Sequence, residues 1–327
     1  MFYINEIIRV NYKCNWSCKF CNVLKTNNYW SKDVSNIEVI NKIFQLTKKY
    51  NLEERKGMIL SLSWWEPTLN KNLLLFIKFA KKLWIWAVQI QTNWARLFKE
   101  KDYIYKLIDA WLDEIFLAQH WWDSEVNKKL GVFYKVQDFY DWVEFLKEKN
   151  IKDRITIQLN IVVNKINLFF VYEYINILKK NHFIDIIENQ ISFWFVQPNW
   201  YAELNKDEVL LGFWDKELIE VDKIIKLCQN YNIFLDFHYT SPPLCILDYK
   251  EYNLEYNNFK KIELDRKNGS IHKSNLESYQ FLWKEKTKLD ECKSCKNNDY
   301  CLWFYKNWVD FVGKEYLQKK VTYYLNK

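Results

Sequence analysis

With 327 residues, the chain is long enough for one large domain or for a large and a small one. Nearly half the residues are apolar (49%), so a core is easily built, yet no run approaches the ~18 uninterrupted apolar residues of a membrane span. The net charge of +7 is spread along the chain, which permits an acidic peptide or an RNA as partner and demands neither.

The first β-branched run covers residues 5–10 and leads into Cys14-Asn-Trp-Ser-Cys18-Lys-Phe-Cys21. Three thiolates spaced by three and then two residues can wrap one face of a four-iron, four-sulfur cluster and leave the fourth iron open. Three buried cysteines, or part of a zinc site, are the alternatives. Ser35-Asn-Ile-Glu38 reads as a capping box, opening a helix with Ile37, Ile40, Phe44 and Thr47 on one side. Further strands are predicted at 58–62, 87–92, 114–119, 155–163 and 190–196. Helical patterns cover 72–83, 101–110, 134–149 and 168–180 between them.

Six βα repeats in roughly 200 residues predict a parallel sheet with helices packed outside, curled by right-handed crossovers. Six strands are too few for a full eight-stranded barrel. The expected fold is therefore α/β: a splayed, partial (β/α)6 TIM-like barrel over residues 1–205, with a small metal-binding extension over 206–327. Chemistry on such barrels gathers at the C-terminal ends of the strands. The cysteine triplet, Trp64-Trp65-Glu66-Pro67, Asn93-Trp94 and Gln119-His120 all follow strand ends and so fall on one rim.

Past Pro198 the pattern changes. A helix is predicted at 215–229, a further strand at 233–239, a rigid turn at Ser241-Pro-Pro-Leu-Cys245 and a hairpin at 260–273 around Asn268-Gly269. A compact loop with Cys292, Cys295 and Cys301 precedes a closing helix near 305–316. Eight cysteines without a recognisable secretory signal argue for metal chemistry over disulfides, and for a reducing cytoplasm. Cys245, Cys292, Cys295 and Cys301 would complete the coordination of a second four-iron cluster, or hold a structural zinc. Cys228, inside a helical pattern, reads as a core thiol.

Tryptophan usage is abnormal. The chain holds seventeen tryptophans and five glycines. About 23 glycines are expected at the usual ~7%, a number the two together nearly supply. Asn93-Trp94 and Asn199-Trp200 stand where Asn-Gly turns would be expected, and Trp64-Trp65 where a flexible turn would let a ligand approach the backbone. The reading is that UGA codons meaning glycine were rendered as tryptophan; an aromatic-rich core or base-stacking surface is the rival.

The cysteine triplet and the six-strand pattern together resemble the radical S-adenosylmethionine (SAM) superfamily over roughly residues 3–200. The resemblance implies a [4Fe-4S] cluster on Cys14, Cys18 and Cys21, SAM on its open iron, reductive cleavage of SAM and abstraction of a substrate hydrogen. It implies that Phe20 packs near the adenine and that Trp64, Trp65, Glu66 and Pro67 occupy the place of the family's Gly-Gly-Glu-Pro motif, which receives the SAM ammonium. Genuine tryptophans there would fill the site. Gln119 and Asn160 are candidates for the ribose hydroxyls. His120 is either substrate-facing or structural, and residues 193–198 either line the adenine or form core. The C-terminal cysteines resemble a twitch or SPASM extension, although a full SPASM domain usually brings more cysteines.

Enzymes of this build often modify ribosomally made peptides, which is the leading expectation for the substrate. A reductant such as flavodoxin or ferredoxin would supply the electron. A cofactor-forming enzyme like the molybdenum-cofactor protein that rearranges GTP is the runner-up, although residues 323–327 offer no glycine-rich tail. An RNA-modifying enzyme is a third expectation. A metal-binding protein without chemistry is the alternative outside enzymes.

Overall fold

The computed structural model describes residues 4–21, 34–63, 65–120, 123–132, 136–187, 189–237, 242–249, 286–298, 301 and 304–326. Strands β1 (Ile4–Arg9), β2 (Met58–Ser63), β3 (Ala87–Thr92), β4 (Glu114–Ala118), β5 (Thr156–Val163), β6 (Gln190–Phe195) and β7 (Phe234–Asp236) form one sheet in sequential order. The α/β parallel sheet predicted from the βα repeats is present, with strand ends within one residue of expectation. The short run at 234–236 joins it as a seventh strand.

The registers from β1 to β5 are parallel, from Ile4 opposite Met58 in the first pair to Ala118 opposite Asn160 in the last. This alignment brings the C-terminal ends of the strands to one rim. Strands β2 and β4 are buried almost throughout, as inner strands of a parallel sheet with helical connections usually are. The chain divides into two compact units: residues 4–161 with 173–191, and residues 162–172 with 192–326. No described helix is long and apolar enough to cross a membrane.

Three local expectations are corrected. Ser35 sits at the N-cap of the helix Asn36–Lys49, but its side chain makes no capping hydrogen bond. The capping box forms instead at Asn51 and Glu54, each side chain accepting from the other's backbone N–H. That helix also buries a different face. Val39, Ile43 and Leu46 are inside, whereas Ile37 is 70% and Phe44 45% exposed. Both faces carry apolar residues at helical spacing, so periodicity alone does not choose between them. At the C-terminus the single closing helix is two, Lys306–Val312 and Lys314–Leu325, broken at Gly313 with φ 95°. The predicted hairpin at 260–273 lies outside the described residues.

The inverted face can be tested directly. Ile43→Ala is expected to cost about 2–5 kcal/mol in urea unfolding, and Ile37→Ala less than about 0.5 kcal/mol.

Candidate active site

The cysteine loop leaves β1 and is clamped at several points. Beyond the strand, Val10 N–H donates to Ser63 O (3.3 Å) and Glu66 N–H to Lys13 O (3.0 Å), which fastens the loop's entry to the β2 turn. The Asn11 amide donates to Glu66 O. Farther along, Ser17 N–H donates to Gly131 O (2.9 Å) and Lys19 N–H to Leu130 O (3.0 Å). The end of the helix Ser124–Leu130 thus braces the segment between the cysteines. Gly131 is required there, because a Cβ would lie 2.2 Å from Ser17 O and its φ is +77°.

Cys14, Cys18 and Cys21 are half-buried, and none of the eight cysteines is in a disulfide. Asn93, beyond β3, points its amide at the loop, 3.6 Å from Cys14 Sγ and 2.7 Å from Asn15 Oδ1. Trp16 and Phe20 are buried beside His120, with Phe20 edge-on to the imidazole at 4.6 Å and Trp16 at 6.4 Å. His120 therefore lies against the cysteine loop. Its burial lowers the pKa from the ordinary 6.5 to about 3.

Glu66 is fully buried. Its carboxylate accepts from Thr68 N–H (3.0 Å), Thr68 Oγ1 (2.5 Å), Thr92 Oγ1 (2.6 Å) and Asn93 N–H (2.6 Å). Burial raises its pKa, and the hydrogen bonds from Thr68, Thr92 and Asn93 pull it back. A side chain so engaged holds its own turn and the end of β3 together. Pro67 starts the short 3₁₀ turn Pro67–Leu69. Trp65 is half-buried with φ 60°, and Trp64 lies outside the described residues.

On the next strands, Gln119 is buried and its N–H donates to Asn160 O (3.0 Å). Asn160 is also buried, and its Oδ1 has no hydrogen-bond partner among the described residues. An amide oxygen left so at the rim fits a ligand hydroxyl as donor. Sequence reasoning placed Asn93-Trp94 on the rim, but it did not single out the role of Gly131. Asn93 was legible as a turn residue after β3; the closeness of Gly131 to Ser17 was not, because it joins positions more than a hundred residues apart.

Residues 195–198 line a pocket with Phe213, Pro243, Tyr305 and Trp308 in the second unit, where the Gln197 amide donates to Tyr305 OH (2.6 Å). In the same unit Cys292, Cys295 and Cys301 lie on one loop. The two-residue strands β8 (Lys286–Thr287) and β9 (Phe304–Tyr305) bracket it as an antiparallel ladder. Burial pushes the Cys245 thiol well up, and the neighbouring thiols of Cys301, Cys292 and Cys295 push it further. Cys292, Cys295 and Cys301 are thereby within electrostatic reach of Cys245. Cys228 is buried in the helix Asp215–Asn230, where burial raises its pKa to about 12, as suits a core thiol. Among the described residues no three His, Cys, Asp or Glu side chains gather closely enough to hold a single metal ion. A four-iron cluster distributes its thiolates over separate irons and asks for a wider set.

Residues 8–168 match the family described as the Radical SAM superfamily. These residues form a radical SAM domain. The chain is 28% identical over 163 residues to a probable GTP 3′,8-cyclase of Sulfurisphaera tokodaii, covering 49% of this chain and 47% of that protein. SuiB of Streptococcus suis is 16% identical with a TM-score of 0.51, covering 72% of this chain and 49% of SuiB. The structure titled anSMEcpe with bound AdoMet is 14% identical with a TM-score of 0.51, covering 70% and 60%. The chain thus spans about half the length of the cyclase and of SuiB. At these identities the two structures share its fold.

Two measurements probe this site. Gly131→Ala is expected to cost more than about 1 kcal/mol and to lower the iron bound on reconstitution. Gly313→Ala, whose Cβ meets nothing within 4 Å, should leave the iron content unchanged. For His120, the unfolded chain binds the extra proton between its ordinary pKa and the folded value of about 3. Its contribution therefore falls as pH drops from about 6.5 toward 3, and His120→Asn should flatten the melting temperature across that window.

Proposed function

We propose that this protein is an enzyme that cleaves SAM reductively and abstracts a hydrogen from a peptide or protein substrate. The carrying observation is the braced loop that presents Cys14, Cys18 and Cys21 at the rim, beside the Glu66 turn. In this reading the three thiolates hold a [4Fe-4S] cluster. The carbonyls of the turn take the SAM ammonium, Asn160 and Gln119 take ribose hydroxyls, and Phe20 packs toward the adenine. When bound, the cluster and SAM supply the reductive cleavage and the hydrogen abstraction. The polypeptide contributes placement and exclusion of water.

Cys245, Cys292, Cys295 and Cys301 are the ligands for a second [4Fe-4S] cluster, with zinc as the competing occupant. Burial raises the thiol pKa values of Cys245 and Cys292, so metal loading there would release protons. A peptide substrate is supported by this cysteine loop and by the likeness to SuiB, one structure of which is described as bound to the precursor peptide SuiA. A flavodoxin or ferredoxin would be the reductant, and a cytoplasmic setting suits clusters of this kind. The second reading, cyclisation of GTP, is favoured by the 28% identity to the probable GTP 3′,8-cyclase.

The test is anaerobic release of 5′-deoxyadenosine from SAM by reduced, iron-loaded protein, as encoded and as Trp65→Gly. Release is expected from the glycine form and should fall to background in Cys18→Ala. No release from either form with iron fully loaded would sink the enzymatic reading in favour of a metal-binding protein. Turnover with GTP in place of a peptide would select the second reading.

A further inference from the structure

Nine described non-glycine residues have φ in the left-handed region: Trp65, Trp84, Trp94, Trp111, Asn150, His182, Asn189, Phe213 and Asn232. Asparagine and histidine enter that region more readily than most side chains, whereas a bulky residue there is an outlier. Tryptophan supplies four of the nine positions although only 17 of the 327 residues are tryptophan.

Two of the four share one geometry. Trp84 follows the helix Leu73–Lys82, with Trp84 N–H donating to Lys81 O (3.0 Å) and Ile85 N–H to Ala80 O (3.4 Å). Trp111 follows the helix Tyr103–Asp109, with Trp111 N–H donating to Ile108 O (2.8 Å) and Leu112 N–H to Leu107 O (3.1 Å). This crossed pair is the Schellman closure, whose left-handed residue is usually glycine. The same pair closes three other helices, at Gly131, His182 and Asn232. Trp84 and Trp111 are 66% and 55% exposed, so burial of the indole offers little compensation for the backbone.

Trp94 adopts φ 67° directly after Asn93, and its buried indole N–H has no hydrogen-bond partner among Phe98, Phe139, Trp142 and Phe183. Trp65 adopts φ 60° in the turn that presents Glu66. Asn199-Trp200 is corrected by the same criterion. Trp200 begins the helix Trp200–Leu204 and takes no left-handed conformation, so geometry gives no reason for glycine there.

We infer that residues 65, 84, 94 and 111 are glycine in the protein made by its own organism, the tryptophans standing for UGA codons read there as glycine. Among the tryptophans the backbone selects these four positions without reference to any family motif; Phe213, the other bulky residue at left-handed φ, lies outside the codon argument. Positions 84 and 111 lie at helix ends that precede β3 and β4, on the opposite side of the βα units from the cysteine loop. The inference therefore stands or falls independently of the SAM reading. At positions 65 and 94 it has a functional consequence: glycine there frees the backbone flanking Glu66 and Asn93 for close approach of a ligand.

Mass spectrometry of peptides spanning residues 84 and 111, from protein isolated from its own organism, decides it together with the gene. Glycine masses and UGA codons are expected; a tryptophan mass or a UGG codon at either position overturns the inference. In recombinant protein, Trp84→Gly and Trp111→Gly should each raise the melting temperature by roughly 2–4 °C. A fall in both would also overturn it. SAM binding to Trp65→Gly is a separate readout, and its absence would count against the proposed function alone.

Discussion

The buried carboxylate of Glu66 is the tie on which the site depends. Four donors from its own turn and from the end of β3 converge on its two oxygens. The backbone of the same residue is joined to Lys13 and Asn11 at the entry to the cysteine loop. One residue thereby holds three adjacent strand ends in fixed relation. A carboxylate withdrawn from water is costly unless its oxygens are hydrogen-bonded, and here both are. The same engagement makes Glu66 a support for main-chain groups and takes it out of direct competition for a ligand.

The cysteine loop has the character of a preorganised binding edge. It is fastened near its middle by the backbone of residues 130 and 131, from one side by Asn93, and beneath by the aromatic contact of Phe20 and Trp16 with His120. Asn93 comes from the β3 unit, and His120 and residues 130 and 131 come from the β4 unit. Metal sites need their ligands held by such surrounding shells, since a loop left to itself loses entropy on binding. The second cysteine group is organised differently. A two-residue ladder and tight turns flank Cys292, Cys295 and Cys301, and those three thiols add to the burial that raises the pKa of Cys245.

The βα repeats and the cysteine spacing were sufficient to read the sheet, the rim and the family from the chain. Helix facing was not. Ile37 and Phe44 are as apolar as Val39 and Ile43, and only packing shows which set is covered. The break at Gly313 was likewise hidden, because the hydrophobic pattern continues across it and the glycine signals a turn only weakly. The glycine deficit was visible in composition, but composition treats seventeen positions alike. The backbone separates four of them from Trp200, because left-handed φ penalises a Cβ and a helical first turn does not.

By itself the sequence determined what is local and periodic: the alternation of strands and helices, the thiol spacing, and the excess of tryptophan over glycine. These follow from side-chain period and from ligand geometry within a few residues. Tertiary structure decided what depends on distant parts of the chain: the saturation of Glu66, the pairing of Gly131 with Ser17, the placing of His120 against Phe20, and the unpaired oxygen of Asn160. Hydrogen bonds and close packing act over a few ångströms, so groups dozens of residues apart reveal their relation only when the sheet brings them to one rim.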